Sequence, residues 1–79
     1  MRAKGITVSK LARLFESDYE APVLVRYADG TYEVRSLTHL GRGRTAAIVA
    51  TRDDLVEACG GDVYLESLQR VVAEWRAAA

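Results

Sequence analysis

The segment Thr38-His39-Leu40-Gly41-Arg42-Gly43-Arg44-Thr45 sets two arginines among glycines and holds the only histidine of the chain. Glycines let a backbone come close to a ligand, and guanidinium groups grip anions such as phosphate through a planar fork of N–H donors. The chemistry of this spacing is therefore anion contact, provided the glycines are not already spent on turning the chain. Nucleophilic catalysis would need His39 to meet Cys59, the only cysteine, and no third orienting group is indicated. Asp53, Asp54 and Glu57 form a carboxylate cluster, but they fall at a helix start, where capping and the helix dipole already account for them. No Gly-rich loop of the Walker or dinucleotide type is present. These readings predict a protein that is not an enzyme, with no cofactor and no metal site.

Charge limits what the arginines can reach. Lys plus Arg and Asp plus Glu both number 11, so no global field draws the chain to nucleic acid or to an anionic membrane. The distribution is uneven. Residues 21–50 hold four basic and two acidic side chains, whereas residues 51–79 hold three and six. The GRGR core is similar to that of an AT-hook, a minor-groove binder, but Leu40 and Thr45 flank it in place of the prolines that keep that motif extended. "TVSKLARLF" resembles the opening helix of a helix-turn-helix, yet "ESDYEAPVLV" supplies neither the turn glycine nor a recognition helix. A nucleic-acid reading then needs Arg26 and Arg35 to join Arg42 and Arg44 in one patch, giving weak, salt-sensitive affinity.

The elements that must position these residues read as follows. Val8, Leu11, Ala12, Leu14 and Phe15 make one apolar stripe of a helix over 7–17, with Thr7 or Ser9 as cap and Pro22 closing off any continuation. "PVLVRYADGTYEVRSL" reads as a hairpin. With Asp29-Gly30 as a two-residue type I′ loop, Tyr27 faces Tyr32, Arg26 faces Glu33 and Val25 faces Val34. One face then collects Val23, Val25, Tyr27, Tyr32 and Val34, and the outer face Leu24, Arg26, Glu33 and Arg35. "TAAIVA" (45–50) reads as a third strand, joined through the arginine turn into an antiparallel meander, with Ile48 or Val49 facing the core. Thr51 caps a second helix that stops at Gly60-Gly61, and Asp62 caps a third whose apolar face holds Tyr64, Leu65, Leu68, Val71, Val72 and Trp75.

The prediction is one α+β domain over residues 1–79, in the order α-β-β-β-α-α, with the helices on one face of the sheet. Its expected core is Val8, Leu11, Leu14, Phe15, Val23, Val25, Val34, Ile48, Leu55, Leu65, Leu68, Val72 and Trp75. A lone cysteine excludes an internal disulfide, and no apolar run reaches the ~18 residues of a membrane span, so a cytoplasmic protein is expected. A domain of this size buries only roughly 60–65% of its unfolded surface, which makes homo-oligomerisation a natural source of added stability.

Within residues 6–37, Thr7, Val8, Leu11, Leu14, Pro22, Val23, Val25, Gly30, Tyr32 and Val34 resemble a recurrent pattern of small phage or prophage-encoded accessory proteins. The matching residues pack and turn the chain, so no functional residue carries over. The resemblance implies a mobile-element setting, in which small non-catalytic proteins act by occupying a host or phage protein, a host defence complex among them. The expected function is a protein-binding accessory module using Arg26, Arg35, His39, Arg42 and Arg44. The alternative is a weak nucleic-acid binder using the same arginines.

Overall fold

The computed structural model describes residues 5–39 and 46–78. The elements are α1 (Val8–Glu16), β1 (Pro22–Tyr27), β2 (Tyr32–Ser36), β3 (Ala46–Thr51), α2 (Arg52–Ala58) and α3 (Leu65–Ala78), with a short 3-10 turn at Leu37–His39. This is the expected α+β order, with three antiparallel strands in one sheet. The Thr7 hydroxyl caps α1 by accepting from the Lys10 N–H at 3.1 Å. A reciprocal capping box starts α2: Thr51 Oγ1 accepts from the Asp54 N–H at 3.1 Å, and Asp54 Oδ2 accepts from the Thr51 N–H at 2.9 Å. Gly60 and Gly61 end that helix with φ of 73° and 93°, where a side chain would strain the backbone.

The sheet differs from the expected meander. Its strand order is β2-β1-β3, so β3 adds on the far side of β1. Ser36, which ends β2, pairs with Pro22, whereas Ala46, which begins β3, pairs with Tyr27. The connection between them therefore joins opposite ends of the sheet and is not a hairpin turn.

The hairpin register also differs by one residue. Leu24 pairs with Val34 and Arg26 with Tyr32. The loop is three residues long, Ala28-Asp29-Gly30, closed by the Gly30 N–H on the Tyr27 carbonyl and the Tyr27 N–H on the Thr31 carbonyl, each 2.9 Å. A type I′ loop needs positive φ at both central residues. Here only Gly30 has it (91°), and the Asp29 carboxylate instead accepts from the Thr31 N–H and hydroxyl at 3.0 and 2.7 Å.

That shift re-sorts the faces. Leu24, Tyr32 and Val34 join Ile6, Leu11, Leu14, Leu55, Cys59, Leu68, Val71 and Val72 in the core between sheet and helices. Val23, Val25 and Tyr27 form a second buried cluster on the opposite face. As the central strand, β1 is thus buried on both sides, and "PVLV" is apolar without alternation for that reason. Three expected core residues are exposed instead: Phe15, Ile48 and Leu65. Phe15 is at the margin of the α1 stripe. Leu65 opens α3 and Tyr64 precedes it, both ahead of the buried positions Ser67, Leu68, Val71 and Val72. A bulge between Leu24 and Val25 places Ala50, not Ile48 or Val49, over the core. Asp62 does not cap α3 with its side chain. The buried Ser67 hydroxyl holds that entry, accepting from the Tyr64 N–H and lying 2.9 Å from the Asp62 and Tyr64 carbonyls.

Among the described residues no helix is long and apolar enough to cross a membrane.

Candidate functional site

The arginines divide into two uses. Arg52, Arg70 and Arg76 point at backbone carbonyls left over at chain ends and helix ends. Arg52 donates to Leu14 at 3.5 Å and to Ser17, where α1 stops. Arg70 donates to Ala58 at the end of α2 at 3.0 Å, and Arg76 to Ile6 at 2.9 Å. The Leu14, Ser17 and Ala58 carbonyls lie at helix C-termini, where the helix leaves acceptors open, whereas the Ile6 carbonyl precedes α1. These residues hold elements together and belong to no site.

Of the predicted binding set, Arg26 and Arg35 project from opposite faces of the sheet. In the observed register Arg26 shares the helix-covered face with Leu24 and Tyr32, whereas Arg35, opposite Val23, projects from the other face. The complementary outer face expected from a two-residue loop is therefore absent, and so is the union of Arg26 with Arg35. Arg35 is already engaged: its Nη1 lies 3.3 Å from the Tyr27 hydroxyl and 3.6 Å from Glu33 Oε1. His39 ends the 3-10 turn after β2. Arg42 and Arg44 lie outside the described residues.

Among the described residues, no three His, Cys, Asp or Glu side chains gather to hold a metal ion. Asp54 is held in the capping box, and Cys59 is buried among the helices.

What the structure does bring together is a hollow of about 330 Å³ beside the edge strand. Its floor is a cross-strand row, Tyr32–Arg26–Ala47, one residue from each strand. Ile6 and the α3 residues Trp75 and Ala78 wall it. Its mouth is β3 itself, where Ile48 and Val49 are 52% and 39% exposed. Tyr32, at the inner end of this row, is buried in the core, whereas Arg26 is exposed although it stands on the core side of the sheet. No hydrogen bond or ion pair engages Arg26 among the described residues, and no acidic side chain lines the hollow. Sequence reasoning listed Arg26 but missed its setting, because the Ala47 contact depends on β3 pairing with β1 and not with β2.

β3 is also an edge strand whose outer side is unpaired among the described residues. Such an edge presents a row of backbone donors and acceptors ready to accept another strand. Residues 46–50, Ala-Ala-Ile-Val-Ala, contain neither a charge nor a proline to block it. The other edge, β2, carries Glu33 and Arg35.

No protein-family model, curated protein or solved structure matches this chain.

Proposed function

We propose that the protein is a small, non-catalytic protein-binding module that works through the β3 edge and the hollow behind it. The observation that carries this reading is the exposure of Ile48 and Val49 on an edge strand that is unpaired among the described residues, next to a hollow walled by Trp75 and Ile6. Apolar groups left in water beside open backbone groups gain from a partner that covers both. The surface is thus displaced from the arginine turn named by sequence to the strand that follows it. On the resemblance over residues 6–37, the partner is a host or phage protein in the cytoplasm, a host defence complex being one such target.

The test is capture from a lysate of the source cell with the wild-type chain and with Ile48→Lys/Val49→Lys. A defined partner retained by the wild type and lost by the folded double variant supports the reading. Identical protein profiles from the two would reject the edge as the working surface. An Arg42→Ala/Arg44→Ala arm reports separately on the turn.

A further inference from the structure

We infer that the occupant of this surface is an extended acidic segment of a partner, added to β3 as a fourth strand, with Arg26 reading its charge. The inference rests on the protein-binding reading above and deepens it by naming the chemistry of the partner.

The row Tyr32–Arg26–Ala47 runs straight across the sheet toward the open edge. The next position in that row belongs to whatever strand pairs with β3. Adjacent strands lie about 4.8 Å apart, so a residue there has its Cα about 9–10 Å from that of Arg26. Between them stands only the methyl group of Ala47. A carboxylate on the added strand and the guanidinium of Arg26 can therefore meet above Ala47, where a larger residue would block them.

The charge balance of the site asks for an acid. Among the described residues Arg26 is the charged one lining the hollow, and the others around it are apolar or aromatic. Glu33, the nearest acid along β2, projects from the opposite face, opposite Val25, and pairs there with Arg35. A cation standing beside apolar walls favours an anionic partner and repels a basic one, which gives specificity as well as attraction. Apolar residues flanking the acid would cover Ile48 and Val49.

A second copy of the chain is a poorer occupant. In edge-to-edge pairing of two β3 strands, the residue facing Ala47 comes from Ala46–Thr51 of the other copy, and none of these is acidic. Arg26 would then stay unpaired in both copies. The β2 edge is likewise a poorer acceptor, because Glu33 and Arg35 already carry charge along it.

The experiment selects a random octapeptide display library on the wild-type chain and on Arg26→Glu, each checked for folding by circular dichroism. The wild type is expected to enrich Asp or Glu flanked by apolar residues, and Arg26→Glu to enrich Lys or Arg at the same place. The synthetic wild-type consensus peptide should bind Arg26→Glu about tenfold more weakly by fluorescence anisotropy, and should slow amide exchange at residues 46–50. Identical pools, no enrichment, or unchanged exchange at β3 each overturn the inference. So does a β3-mediated dimer in sedimentation that leaves no edge for peptide. If the lysate partner still depends on Ile48 and Val49 while the pools ignore Arg26, the acidic-segment inference fails and the protein-binding reading stands.

Discussion

The guanidinium Nε–H of Arg76 donates to the carbonyl oxygen of Ile6 at 2.9 Å, tying the last helix to the chain entering the first. Ile6 is 1% exposed and sits in the main core, so its carbonyl lies where water is scarce. The contact also sets one wall of the hollow against another, because Trp75 and Ile6 both line it.

Replacing Arg76 by Met keeps most of the aliphatic stem and removes the donor. The expected loss is about 1–2 kcal/mol of unfolding free energy, the usual cost of a charge-assisted bond to a partly buried carbonyl. Urea titration checks it, and unchanged stability would mean that water replaces the guanidinium at Ile6.

Gly5 stands against the ring of Tyr32. A Cβ added there would lie 2.4 Å from Tyr32 Cδ1, and the ring is itself buried, so one of the two must move. Gly5→Ala should destabilise by about 1–3 kcal/mol, the range for an overpacked contact. In a Tyr32→Leu background the same change should cost less. Thermal unfolding of the four proteins of that cycle measures the coupling, and full additivity would refute the clash.

The capping box joins β3 directly to α2, since Thr51 is both the last residue of the strand and the cap of the helix. Thr51→Ala and Asp54→Ala should each cost about 1 kcal/mol. Because each side chain serves the backbone of the other, the double variant should lose less than the two losses combined. Chemical denaturation reads this non-additivity; a strictly additive pair would show that the two bonds act separately.

The observed register makes Leu24 a core residue and Ile48 a surface one. Leu24→Ala should cost about 2–5 kcal/mol, as for a fully buried leucine. Ile48→Ala should change stability by less than about 1 kcal/mol, as at other exposed sites. The reverse order in equilibrium unfolding would restore the two-residue loop and its faces.

Much of the fold is legible in local chemistry. Thr7, Thr51 with Asp54, and Gly60-Gly61 mark helix ends through bonds and backbone angles that involve only residues within about four positions. The Asp29-Gly30 pair announces a turn for the same reason. The candidate site was much less legible. Arg26 is visible as a strand arginine, but its neighbours Ile6, Ala47, and Trp75 with Ala78 come from three other parts of the chain. Nothing in their spacing brings them together.

Sequence by itself determined the order α-β-β-β-α-α, the Thr51 cap and the Gly60-Gly61 stop, because these are decided by short-range hydrogen bonds and φ preferences. It did not determine register, since Val23, Leu24 and Val25 are all apolar and either set satisfies a core. Only the tertiary structure decided that β3 pairs with β1, which buries β1 on both faces, separates Arg26 from Arg35 and leaves Ile48 and Val49 on an open edge. The physical reason is that strand neighbours are chosen by burial summed over the whole sheet, a quantity that no local segment carries.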